Sequence, residues 1–158
     1  LYTAYHPRYS QRCFGAIFYN IGVMKARLGT YQEVSIAFNW CLMLGKRALG
    51  SNHMVIANVQ TNIGMVYFEI GRLNDAMKSF LHALHVTRLA KGSNHPDAGR
   101  VLFHLGSVHR VRCEYEKALQ VYEKTLSIER SNLGEEHPDT IVTLCEIGKT
   151  YCLMGDLD

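Results

Sequence analysis

The chain has no long apolar run, no cluster of like charge and no pair of cysteines at metal-ligand spacing. Each absence excludes something. A helix that crosses a bilayer needs roughly 20 consecutive apolar residues, and no stretch approaches that, so no membrane role is expected. The net charge is +3, from 17 Lys and Arg against 14 Asp and Glu, and no basic run concentrates it. Nucleic acid and anionic lipid are therefore not expected as partners. The cysteines are Cys13, Cys41, Cys113, Cys145 and Cys152. Their odd number and the lack of any C-x-x-C argue against a disulfide framework or zinc knuckle, and for a reduced, cytoplasmic compartment. Cys145 and Cys152 stand two turns apart on one predicted helix and cannot bridge each other. Buried structural thiols are the expectation. No signal-peptide pattern is present, the first residue is Leu1 rather than Met, and the pattern breaks off at Asp158. A fragment of a longer protein is expected.

Signatures of catalysis are missing too. There is no G-x-S-x-G, no G-x-x-x-x-G-K and no H-E-x-x-H. Among eight histidines, His82 and His85 are three apart and His104 and His109 five apart, but apart from Cys113 beside His109 no thiolate or carboxylate stands at ligand spacing. Zinc asks for three or four protein ligands. The expectation is a protein that is not an enzyme, with no metal, no cofactor and no small-molecule substrate.

What is present is repetition. Gly92-Ser93-Asn94-His95-Pro96-Asp97 has a partial copy 42 residues earlier, Gly50-Ser51-Asn52-His53, and another 42 residues later, Gly134-Glu135-Glu136-His137-Pro138-Asp139. A fixed period of this size marks a repeat protein. The most regular column is Gly22, Gly64, Gly106 and Gly148. Seven positions on stand Gly29, Gly71, Cys113 and Gly155. Further columns are Val34, Ala76 and Ala118, then Phe38, Phe80 and Tyr122, then Leu42, Leu84 and Leu126. His53, His95 and His137 recur with the linker, which assigns them to a turn or cap.

Each unit reads as two helices. In the second unit, Ile56, Val59, Ile63, Val66, Tyr67 and Ile70 recur at helical steps and predict a first helix over Val55–Ile70. Gly71 suits a left-handed cap. The second helix is predicted over Leu73–Lys91, with Ala76, Met77, Phe80, Leu81, Leu84 and Leu89 as its apolar stripe. Gly92 ends it, and Pro96-Asp97 opens the next helix, where a missing N–H is harmless and an acid is favoured. A glycine inside a helix costs roughly 0.5–1 kcal/mol relative to alanine. Four at one register imply close approach of a partner helix. Cys113, if left-handed like its column, carries about 1–2 kcal/mol of strain. The predicted layout is an irregular segment over residues 1–11, units over about 12–53, 54–95 and 96–137, and the first helix of a fourth over 138–158. The fold class is all-α, an α-solenoid of stacked antiparallel hairpins in which neighbours bury one another's apolar faces.

The pattern G-x-x-Y, then G, then A-x-x-x-F-x-x-A-L resembles the tetratricopeptide repeat (TPR). Gly64, Tyr67, Gly71, Ala76, Phe80, Ala83 and Leu84 carry it most fully. The usual unit there has about 34 residues; the longer unit, with its Gly-x-x-His-Pro linker, resembles the repeats of kinesin light chain. The first helices of that family commonly read L-N-N-L-A. Here the matching stretches read Phe18-Tyr19-Asn20-Ile21-Gly22, Gln60-Thr61-Asn62-Ile63-Gly64, Leu102-Phe103-His104-Leu105-Gly106 and Leu144-Cys145-Glu146-Ile147-Gly148. These departures favour a divergent scaffold of this type over a motor subunit itself.

The resemblance implies a right-handed superhelix with the first helices lining a concave groove. It implies protein–protein binding through that groove, as in a cargo or adaptor module, with a peptide segment as partner. By register the candidate peptide-binding residues are Tyr19, Asn20, Arg27, Asn58, Asn62, Met65, Arg100, Phe103, His104, Arg110 and Lys149. Val23, Thr61, Glu69, Ser107, Cys145 and Glu146 point the same way. Asn20 and Asn62 occupy the slot where the family often places an amide that both donates to and accepts from a peptide backbone. Arg27, Arg100 and Arg110 can grip carboxylates as forks. Tyr19, Met65 and Phe103 offer apolar contact. The alternative from another class is a regulatory array attached to a nucleotide-binding or kinase domain elsewhere in a longer chain.

Overall fold

The computed structural model describes residues 19–155. The expected irregular segment over residues 1–11, and Cys13, lie outside the described residues. Helix α1 is described over residues 19–27. It is followed by α2 (Tyr31–Leu49), α3 (Met54–Glu69), α4 (Leu73–Lys91), α5 (Pro96–Val111), α6 (Tyr115–Leu133) and α7 (Pro138–Gly155). No strand occurs among the described residues. The protein is an all-α solenoid. Helices α3 and α4 pack as one hairpin and α5 and α6 as the next; α4 packs on α5 and α6 on α7.

The linker histidine starts the helix. His53 Nδ1 accepts from Val55 N at 3.2 Å, His95 Nδ1 from Asp97 N at 3.1 Å, and His137 Nδ1 from Asp139 N at 3.2 Å. Each ring thus satisfies one of the orphan donors at a helix N-terminus. The cap explains why α3 begins at Met54, one residue before the predicted Val55.

The hairpin turns end each first helix in one way. Gly71 N bonds Phe68 O at 3.0 Å and Arg72 N bonds Tyr67 O at 2.8 Å. Cys113 N bonds Arg110 O and Glu114 N bonds His109 O, both at 3.0 Å. This is the Schellman closure, which asks for a left-handed residue. Gly71 meets the demand with φ 76° and Cys113 with φ 58°.

The helical glycines make room for rings. A Cβ on Gly64 would lie 2.6 Å from Phe80 Cε1, and one on Gly106 would lie 2.5 Å from Tyr122 Cε1. Gly22 faces Phe38 in the same way. Phe38, Phe80 and Tyr122 are almost wholly buried. A continuous core runs through Phe38, Ile63, Phe80, Val101, Leu105 and Ile128. Phe38 meets Tyr67 edge-on at 5.5 Å, which ties the first hairpin to the second. Arg72 and Tyr67 both bond Ser35 Oγ, at 2.7 Å and 3.2 Å.

Two expectations about packing need correction. The buried stripe of α4 is Ala76, Phe80, Ala83, Leu84 and Thr87, while Leu81 is 52% and Leu89 61% exposed. Their angular positions, about 140° and 220° from Ala76 at 100° per residue, put them off the buried face. The sequence predicts buried thiols, yet only Cys41 is buried among the described cysteines; Cys113, Cys145 and Cys152 are exposed. Cys113 lies in a turn, and the other two lie on a side of α7 that no described helix covers.

Candidate functional site

Helices α3, α5 and α7 follow one another at the 42-residue period, so equivalent residues fall side by side. Asn58 and Arg100 show this directly. Arg100 Nη2 donates to Asn58 Oδ1 at 3.3 Å. Asn62 and Met65 are exposed on the same helix as Asn58. Phe103 and His104 are half-buried on α5. The His104 ring stacks on Phe80, with centroids 5.2 Å apart and planes 12° apart. Phe103 leans on Tyr122 at 5.7 Å. Burial, with the nearby charge of Arg100 second, lowers the His104 pKa to about 4.

A second group of predicted residues meets across α5 and α7. Arg110 Nε lies 3.2 Å from Glu146 Oε2. Glu146 Oε1 accepts from Lys149 Nζ at 2.7 Å. Both cations are thus already answered by one carboxylate. Tyr19 stacks on Phe38 at 5.9 Å, so much of its ring serves the core. Asn20 and Arg27 are exposed on α1.

Thr61 departs from expectation: it is buried, and its hydroxyl turns back to Ala57 O at 2.9 Å. Ser107 is half-buried and its hydroxyl bonds Tyr122 Oη at 3.1 Å, so it serves the hairpin. His109 also differs from the sequence reading, because its Nδ1 lies 2.5 Å from Glu114 Oε2 in the hairpin turn. No group of three or more His, Cys, Asp or Glu is placed to hold a metal among the described residues. No helix among them is long and apolar enough to cross a membrane.

One feature of the site went unread in the sequence. Between α5 and α7 a cavity of about 490 Å³ opens, lined by Arg100, Phe103 and His104 on one side and Asp139 and Val142 on the other. At its base, on α6, is Glu129, only 5% exposed. Its Oε2 has no hydrogen-bond partner. Burial raises the carboxyl pKa most; the Thr143 hydroxyl beside it, a weak donor to the carboxylate, lowers it, and the Asp139 charge raises it. A signal was available. Glu129 continues the column Gly45, Thr87, in which a carboxylate is the odd member.

The tetratricopeptide repeat profile matches residues 55–128 and 97–158. The chain belongs to the tetratricopeptide repeat family. Such repeats are generally protein-interaction scaffolds. BtubC (BKLC) from P. vanneervenii is 18% identical with a TM-score of 0.74, over 90% of this chain and 57% of that one. The chain therefore spans a little over half the length of that structure. A provisional kinesin light chain of Podospora anserina, with nearly identical TPR-like repeats, is 17% identical with a TM-score of 0.73, over 96% of this chain and 69% of that one. A single-substitution form of the same Podospora protein is 18% identical, with a TM-score of 0.71, over 90% of this chain and 67% of that one. At these identities the likeness is one of fold. No curated protein sequence matches the chain significantly.

Proposed function

We propose that the chain is a binding module rather than a catalyst, and that its concave groove takes up an extended or short helical segment of a partner protein, as an adaptor does. What supports the reading most is the Asn58–Arg100 hydrogen bond between residues one period apart. It joins α3 and α5 into one polar wall, beside which Asn62 and Met65 stand exposed. An amide pair and a guanidinium can satisfy a peptide's carbonyls and N–H groups in turn. The repeat family to which the chain belongs supports the same reading, as does its kinesin-light-chain-like unit. A cytoplasmic setting fits the free thiols of Cys41, Cys113, Cys145 and Cys152.

The test is a peptide array probed with the 158-residue chain, followed by titration of the retained peptides. Asn62→Ala and Arg100→Ala are expected to weaken binding by roughly tenfold each, the loss of one or two directed hydrogen bonds. Retained peptides that bind both variants unchanged would remove the groove from the account.

A further inference from the structure

At the cavity between α5 and α7 the groove departs from the repeat before it. One period earlier, Arg100 reaches back to Asn58 and closes the wall. The residue equivalent to Arg100 on α7 is Val142, which has no polar atom to reach back with. The wall stays open there. The floor changes at the same step, from Thr87 to Glu129. A carboxylate oxygen that is buried without a partner costs free energy, because water has been removed and nothing replaces it. The Thr143 hydroxyl beside Glu129 is its one neighbouring donor, so a carboxylate that lines a cavity keeps capacity for a further donor from outside.

We propose that this cavity receives a lysine or arginine side chain of the bound peptide, with Glu129 as its ion-pair partner. The inference rests on the groove reading above and names the partner's chemistry. Three features suit a cation. The Glu129 carboxylate lines the base and has only the Thr143 hydroxyl as a weak donor. Asp139 adds a second carboxylate at the rim, where it is 68% exposed. Phe103 and Val142 supply apolar walls for the methylene stem, and an aromatic face favours a cation near it. Asp97, the third carboxylate of the lining, is already held by Lys91 Nζ at 2.6 Å. Arg100 is the only permanent cation of the lining; it is 55% exposed and bonds toward Asn58, away from α7. Burial also favours the protonated form of Glu129, and an arriving ammonium or guanidinium would return it to the charged form.

The deciding experiment is a positional-scanning array of N-acetylated decapeptides, probed with the chain and with Glu129→Gln. Peptides with a fixed Lys or Arg are expected to be retained roughly tenfold or more above those with norleucine at the same position. Glu129→Gln should abolish that preference, and Asp139→Asn should weaken it. Glu129→Gln removes a buried charge, so it should fold, which circular dichroism checks. Equal retention of norleucine and basic peptides by the unmodified chain would overturn the proposal without using any variant. So would a basic preference that survives in folded Glu129→Gln, or a preference for glutamine or acidic anchors. Either result would leave the groove reading standing. If the chain retains no peptide of any kind, the groove reading fails, and this inference fails with it.

Discussion

Two neighbouring grooves, α3 against α5 and α5 against α7, are built by one rule and end differently. The first is bridged by a hydrogen bond between Arg100 and Asn58. The second is open, with Glu129 at its base. The helices of both begin on a histidine cap, and in both a second helix forms the floor. The difference comes from two substitutions within the repeat, Val142 after Arg100 and Glu129 after Thr87. A repeat scaffold can thus keep its framework constant while two side chains change the space between successive first helices. In the glycine column, Gly64 and Gly106 lie against rings of the helix that follows, whereas no described helix follows α7 and a Cβ on Gly148 would meet nothing within 4 Å.

The contrast can be broken by mutation. The largest effect is expected at the plug of the inner hairpin. Phe80→Ala should destabilise the chain by about 3–5 kcal/mol in urea unfolding. Tyr151→Ala on the open face of α7, where the ring is 55% exposed, should change stability by less than about 0.5 kcal/mol. Comparable losses at both positions would show that α7 is packed as tightly as the interior.

Acid should act next. His104 remains neutral in the folded chain down to about pH 4, whereas the unfolded ring takes its proton near 6.5. A lowered histidine pKa means that the unfolded state binds more protons in that window. The stability His104 contributes is therefore complete above about pH 6.5 and is lost as pH falls toward 4, about 3 kcal/mol in all. Urea midpoints across pH, measured with and without His104→Phe, isolate this contribution. The comparison matters because protonating the cap histidines also removes their acceptor nitrogens. An unchanged acid response in His104→Phe would show that the ring is hydrated.

The glycine column offers a smaller and sharper contrast. Gly64→Ala should cost about 1–3 kcal/mol, since the Phe80 ring must shift. Gly148→Ala should instead stabilise by up to about 1 kcal/mol through helix propensity alone. Two changes of one sign would show that the two glycines have like surroundings. The smallest effect is at the turn. Cys113→Gly relieves a left-handed strain, offset in part by backbone entropy, and should raise stability by about 0.5–1 kcal/mol. A loss of stability there would show that the thiol makes a contact worth more than the strain.

Much of the framework could be read from periodicity. The helix over Leu73–Lys91 was legible to the residue, because Gly71 and Gly92 bracket it and an apolar face runs between them. The role of Gly22, Gly64 and Gly106 followed from their shared register, while at Gly148 no described residue makes the expected approach. The strain at Cys113 followed from its column. The site was legible only as a row of positions. Asn58 and Arg100 were both candidates, but nothing in one dimension says that they bond each other. Arg110 and Lys149 are candidates as cations, yet Glu146 holds both. Hydrophobicity places Leu81 and Leu89 in the core, and the helical angle removes them. Glu129 was passed over because a charged residue on a second helix reads as solvent-facing until the neighbouring helices are in place.

The sequence alone determined the period, the helix limits and the residues at which backbone geometry is demanding, since those depend on interactions within a few turns. Only the tertiary structure decided which polar groups are answered and which are left over. Hydrogen bonds and desolvation act over a few ångströms between residues 42 or so apart in the chain, such as Asn58 and Arg100. The Gly-x-x-His linker shows both halves. Its recurrence announced the architecture, and its chemistry proved to be a helix cap. The open position lies beside it, where Glu129 and Val142 line one cavity and the carboxylate has only the Thr143 hydroxyl beside it.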